Sequence, residues 1–361
     1  MNLNTKISGI YLENPLMPAS GPLVGDNKKM KIISEFGVGG MVTKTISSKA
    51  AEVVKPCIYG GQDFVMNAEL WSEFGPEMWI DNFLPKIKKD INTPLIVSVG
   101  YSKEDMDYLI PKLDKYADAF EISTHYVGKD LDVIKENLKT IRKHTKKPIF
   151  MKISPHIPDL IGFAKMVMEN GGNGVVAINS LGPTMKIDIT SRKVLLGNKE
   201  GEAWTSGPRV KPMALAIIHK IKKAIPSCEI IGVGGISTAD DVIEFLLAGA
   251  SAVQMLSAAM LKGKDLYKKI IDDLPEALEK YGFNSIKEVI NTELQTGDVK
   301  YDPIYPLINY DKCVNCKLCE KICPYFAISS EDGKVAVKES ECFGCGLCQS
   351  RCPKKAIENI F

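Results

Sequence analysis

Leu95-Ile96-Val97-Ser98-Val99-Gly100 is a near-continuous run of strand-forming residues closed by a glycine. A strand with one wet face alternates polar and apolar residues. A run apolar on both faces instead predicts the two-sided burial of a parallel sheet flanked by helices. Comparable runs recur at Leu16–Ser20, Gly40–Thr45, Ala119–His125, Ile149–Ser154, Gly174–Ser180, Glu229–Gly234 and Ala252–Ala258. Amphipathic stretches lie between most of them: Lys103–Ala117, Leu131–His144, Ile157–Asn170, Pro212–Ala224 and Thr238–Ala250. Eight β-then-α units in about 260 residues predict an α/β fold, a TIM (β/α)8 barrel, with a doubly wound sheet as the rival. Two longer inserts, Ile46–Asp90 and Leu181–Arg209, follow the second and sixth strands. Strand C-termini are where a barrel keeps its active site, so both inserts read as walls or lids of a pocket.

The C-terminal tail has a different chemistry. It reads Cys313-x-x-Cys316-x-x-Cys319-x-x-x-Cys323-Pro324, then Cys342-x-x-Cys345-x-x-Cys348-x-x-x-Cys352-Pro353. This is the ligand run of a bacterial two-cluster ferredoxin, in which the fourth Cys of each run binds the other run's cluster. Zinc sites use isolated C-x-x-C pairs, usually with a longer spacer, so two 4Fe–4S clusters are the expectation. The expected organisation is a barrel over residues 1–290, a linker over 291–307 with Gly297, Pro303 and Pro306, and a ferredoxin-like domain over 308–361.

The 361 residues are 45% apolar with a net charge of +2. That balance offers no polyanion footprint, so nucleic acid is not an expected partner. The start, MNLNTKISGIYLENP, has no apolar signal core, and no run approaches the length of a bilayer span. Thiolates kept for iron fit a reducing compartment, so the expected location is cytoplasmic, with no membrane partner. The remaining cysteines, Cys57 and Cys228, read as small buried or semi-buried hydrophobes rather than nucleophiles.

Strand seven ends in Gly232-Val233-Gly234-Gly235-Ile236 and strand eight in Gln254-Met255-Leu256-Ser257-Ala258. Glycines there let backbone N–H groups approach phosphate oxygens, and the loops after strands seven and eight are the usual phosphate site of a barrel. The acidic partner that a dinucleotide site needs is absent, so the loop does not indicate NAD. At the first strand end, Pro18-Ala19-Ser20-Gly21-Pro22 offers small residues against which a flat ring could lie. Lys44, in Thr43-Lys44-Thr45, and Lys152, in Met151-Lys152-Ile153, place cations at strand ends. A buried lysine needs an anionic partner, and a reduced flavin, negative near N1, would provide one.

The motif order ASGP, TKT, NAEL, MKISP, AINS, SGPRVKP, GVGGIS and GASAVQ resembles the dihydroorotate dehydrogenase family of FMN barrels. With the ferredoxin tail it looks most like the FMN/iron–sulfur part of the dihydropyrimidine dehydrogenases. The resemblance implies FMN and hydride exchange at a C–C bond. The implied cofactor residues are Ala19, Ser20, Gly21, Lys44, Thr45, Lys152, Gly234, Gly235, Leu256 and Ser257. The implied substrate residues are Asn67, Ser123, Asn179 and Ser180. It also implies a homodimer.

The chain departs from that pattern after strand four. An Asn-x-Ser-Cys-Pro loop, whose Cys exchanges the substrate proton, is expected there. The chain has Ser123-Thr124-His125-Tyr126-Val127-Gly128, with Ser123 in the Asn position and Tyr126 in that of the Cys. Ala203-Trp204 replaces a Gly pair before Ser206-Gly207-Pro208. Imidazole and phenol both move protons, so His125 and Tyr126 are the catalytic candidates, with His156 a weaker one. The leading reading is an oxidoreductase passing electrons from clusters through FMN to a small conjugated substrate of dihydropyrimidine or dihydroorotate type, or an enone or enoate. The other is an electron-transfer subunit without substrate chemistry. With no nicotinamide fingerprint, the expected partner is ferredoxin or a separate NAD(P)H-oxidising flavoprotein subunit.

Overall fold

A computed structural model describes residues 1–123, 128–295, 297, 301–331 and 333–361. The chain separates into two compact units, Met1–Leu294 and Gln295–Phe361.

In the first unit eight parallel strands form one sheet. They are β1 (Leu16–Pro18), β2 (Met41–Val42), β3 (Leu95–Val99), β4 (Ala119–Ile122), β5 (Ile149–Ile153), β6 (Gly174–Ala177), β7 (Glu229–Val233) and β8 (Ala252–Met255). Their order is β1-β8-β7-β6-β5-β4-β3-β2, every step parallel. A bond from the Gly39 N–H to the Leu16 carbonyl, 2.9 Å, links the two ends and nearly closes the barrel. Helices follow the strands and cover the outside, among them α1 (Lys103–Leu113) after β3 and α2 (Asp132–His144) after β4. The apolar runs follow from this arrangement, because one face of each strand meets helices and the other the barrel interior.

The interior is layered by the period of two along each strand. Val42, Ile96, Ala119, Phe150 and Ala252 share the inner apolar cluster, and Ile7 and Leu12 of an N-terminal hairpin join them. Two residues further along the same strands stand Lys44, Ser98, Glu121, Lys152 and Gln254, all buried. A polar layer therefore caps the apolar one at the C-terminal mouth of the barrel.

The two inserts build one structure rather than two separate lids. Strands Leu181–Thr184, Ala203–Ser206, Val65–Asn67 and Ile58–Gly60 form a four-stranded sheet. Asp105 anchors the first insert. Its Oδ2 accepts from the Ser102 N–H at 2.9 Å, closing the capping box of α1, and its Oδ1 accepts from the Ser48 N–H at 3.0 Å.

The second unit repeats a pattern of Cys run, short helix and strand. Its helices are Leu318–Ile322 and Leu347–Arg351, and its strand pairs are Leu307–Ile308 with Ile357–Glu358 and Ile328–Glu331 with Lys334–Val337. Ile328, Val335 and Ile357 form its small core together with Cys348. Among the described residues no helix is long and apolar enough to cross a membrane.

Candidate functional site

The barrel mouth holds a cavity of about 350 Å³. Every cofactor and substrate candidate named from the sequence, from Ala19 to Ser257, lines it. His125 and Tyr126 lie outside the described residues, while Ser123, the last described residue before them, is on the cavity wall. His156 is not on that wall; its Nε2 accepts from the Gly182 N–H at 3.2 Å. His144 is half-buried, with Nε2 2.7 Å from Asp107 Oδ1.

One end of the cavity suits a phosphate. Gly235 has φ +106, and a Cβ there would stand 2.7 Å from the Lys211 side chain, so only glycine brings the backbone this close. Opposite it, the hydroxyls of Ser206 and Ser257 lie 2.7 Å apart. Gly21 is packed closely by the Leu256 side chain, which a Cβ there would meet at 2.4 Å, and both residues line the cavity. Gln254 Oε1, on a residue of the wall, is a buried acceptor with no partner among the described residues. A glycine-lined close approach, a pair of hydroxyls and an orphaned acceptor fit a flavin mononucleotide.

The charges around the cavity are paired. Lys44 Nζ is 2.8 Å from Glu73 Oε2 and 3.4 Å from Glu69 Oε1. Burial pushes the Glu73 carboxyl up, but its contacts with Lys44 outweigh that and hold it below the usual carboxylate range. Lys152 Nζ is 3.1 Å from Glu121 Oε1, whose side chain is fully buried. None of Glu69, Glu73 and Glu121 is among the site residues expected from the sequence. Glu121 carried a usable signal, because a carboxylate inside Ala119-Phe120-Glu121-Ile122 is as costly to bury alone as the lysine that had been noticed.

Aromatic rings form the rest of the rim. Trp71 and Tyr101 meet edge to face with centroids 5.0 Å apart, and both line the cavity. Burial and the Asp105 carboxylate raise the Tyr101 phenol above its ordinary range, so it stays protonated. Asn67 Oδ1 accepts from the Glu69 N–H at 2.6 Å, and Asn179 Oδ1 from the Ser180 N–H at 2.9 Å. Both amide groups are thereby oriented by the backbone beside them. Burial pushes the Cys228 thiol up to about 11 and raises that of Cys57, which suits neither to nucleophilic chemistry.

In the second unit the thiols surround two hollows. Cys313, Cys316 and Cys319 share one with Cys352; Cys342, Cys345 and Cys348 share the other with Cys323. Each hollow thus draws its fourth thiol from the other run, the exchange that a two-cluster ferredoxin makes.

The family model for dihydroorotate dehydrogenase matches residues 2–278, and that for a 4Fe-4S dicluster domain matches residues 306–356. The chain is 33% identical over 304 residues to dihydroorotate dehydrogenase B (NAD(+)), catalytic subunit, of Oceanobacillus iheyensis, covering 80% of this chain and 98% of that one. It is 33% identical over 304 residues to the same-named protein of Pyrococcus horikoshii, with 81% and 98% covered. It is 34% identical over 318 residues to dihydroorotate dehydrogenase A (fumarate) of Lactobacillus helveticus, with 84% and 100% covered. With a barrel matched nearly end to end and a dicluster domain after it, the chain belongs to the dihydroorotate dehydrogenase family and is a flavin oxidoreductase of the CH–CH class.

Proposed function

We propose that the cavity binds FMN, that the tail carries two 4Fe–4S clusters, and that the enzyme reduces or forms the C–C double bond of a small neutral ring of pyrimidine type. The observation carrying the substrate class is Lys44 held between Glu69 and Glu73. Lys152 is likewise paired with Glu121 behind it, so among the described residues each of the two lysines of the wall already has a carboxylate partner. A substrate carboxylate, such as that of the dihydroorotate in the relatives' names, would meet like charge and no unshared cation. A neutral ring edge needs only oriented amides and hydroxyls, which Asn67, Asn179 and Ser180 supply.

Bound FMN would exchange hydride with the substrate at N5, with its phosphate at Gly234, Gly235 and Ser257. The protein's own task is then the proton. His125 or Tyr126 would give it to the carbon next to the one that receives hydride, and Ser123, close before them in the chain, lies on the wall. Electrons would reach the clusters from ferredoxin or from a separate NAD(P)H-oxidising flavoprotein subunit. The words "catalytic subunit" in the relatives' names support the second source. A cytoplasmic homodimer completes the proposal.

The test mixes anaerobically photoreduced protein with uracil or with orotate, the same ring bearing a carboxylate. Flavin reoxidation by uracil, with orotate at least tenfold slower, supports a neutral-ring enzyme. Equal or faster reoxidation by orotate refutes the substrate class. No reoxidation by either, or by simple enones, favours an electron-transfer subunit.

A further inference from the structure

Glu121 is a fully buried carboxylate that does not itself line the cavity, yet it touches two residues that do. Its Oε1 is 3.1 Å from Lys152 Nζ on the neighbouring strand β5. Its Oε2 accepts from Gln254 Nε2 on β8, on another side of the barrel, at 2.7 Å. A carboxylate can only accept, so the Gln254 amide must turn its NH2 to Glu121 and keep its carbonyl oxygen for something else. Among the described residues that oxygen, Gln254 Oε1, is buried and has no partner. Leaving a buried acceptor unmet is costly, so an N–H or O–H group entering the cavity is the natural remedy.

Resting on the reading of this cavity as a flavin site, we infer that Glu121 is a positioning residue that sets both the binding and the reduction potential of the flavin. It acts in two ways. Its charge offsets that of Lys152, so the ring meets an ion pair rather than a bare cation. Its acceptor-only chemistry locks the Gln254 carbonyl as an acceptor for a flavin N–H or ribityl hydroxyl. In Glu121→Gln both are lost. The Lys152 charge is no longer offset and favours the negatively charged reduced flavin. The new amide can also turn its NH2 to Gln254, which would then flip and present a donor where an acceptor had been.

The test compares FMN affinity and flavin midpoint potential in the full-length protein and its variants. Glu121→Gln is expected to favour reduced over oxidised FMN at least tenfold more than wild type does, a rise of about 30 mV for a two-electron couple. Glu121→Asp, which keeps the charge, should stay within threefold of wild type. Gln254→Met keeps the ion pair and should weaken FMN at least tenfold, with its potential nearer wild type than that of Glu121→Gln. An unchanged potential in Glu121→Gln overturns the inference. So does an equal shift in Glu121→Asp, which would mean that packing and not charge is responsible. If Glu121→Gln does not fold, undiminished FMN binding by Gln254→Met overturns it alone. Wild-type protein that binds no FMN refutes the proposed function as well.

Discussion

Asn67 and Trp204 are ladder partners, one from each insert, in the sheet that the inserts share. Both also line the cavity, so the amide that would read a substrate and the ring that narrows its space are fixed by one set of backbone hydrogen bonds. Trp204→Ala should leave FMN content and dithionite reduction of the flavin unchanged. The KM for the small ring should rise about tenfold, the worth of one lost aromatic contact. Steady-state kinetics beside flavin quantification would check this, and an unchanged KM would place the substrate away from Trp204.

Lys44→Ala removes the cation that Glu69 and Glu73 share. Two carboxylates would then stand near the ring with nothing to offset them. FMN retention through gel filtration should fall, and the midpoint potential should drop, because negative charge opposes flavin reduction. Full occupancy at an unaltered potential would remove Lys44 from the site.

Asp105 ties α1 to the first insert and so holds one wall of the cavity. Burial pushes its carboxyl up, but hydrogen bonds from Ser48, Tyr101 and Ser102 outweigh this and hold it at about 2, against an ordinary 3.8. A carboxyl depressed on folding stabilises the fold above its unfolded value. That stability is lost as pH falls through the folded one. Asp105→Asn should therefore cost about 2 kcal/mol at neutral pH, and the gap to wild type should close between about pH 4 and pH 2. Denaturant titrations followed by tryptophan fluorescence would measure it; a gap independent of pH would show that the lost hydrogen-bond geometry, and not the charge, matters.

The barrel was legible in the sequence for a physical reason. Strands such as Leu95–Val99 and Ile149–Ile153 are buried on both faces, so they announce themselves without knowledge of their neighbours. The sheet over the mouth was not legible. Val65–Asn67 and Ala203–Ser206 are three or four residues long, and each is stable only against a partner far away in the chain. The inserts could be read as walls, but not as one wall. Within the site, Lys152 stood out as a charge in an apolar strand, and Glu121 met the same criterion one strand earlier. Glu69 and Glu73 lie in an irregular stretch where charge is unremarkable, and only the fold brings them to Lys44. The tail was the most legible part, because cluster ligation fixes both residue type and spacing.

NADH or NADPH alone should reduce the flavin slowly or not at all, since the sequence carries no dinucleotide fingerprint beside its Gly-rich turn. Addition of a reduced ferredoxin or of an NADH-oxidising flavoprotein should restore rapid reduction. Stopped-flow absorbance would follow both. Rapid stoichiometric reduction by a nicotinamide alone would reveal a site on this chain that the account lacks.

The central claim is that a flavin and two iron–sulfur clusters reside in this one chain. Anaerobic purification followed by flavin, iron, sulfide and zinc analysis tests it most directly. The expected result is about one FMN with about eight iron and eight sulfide per chain, the content of two 4Fe–4S clusters. Zinc in place of iron, with no flavin absorbance, would contradict it.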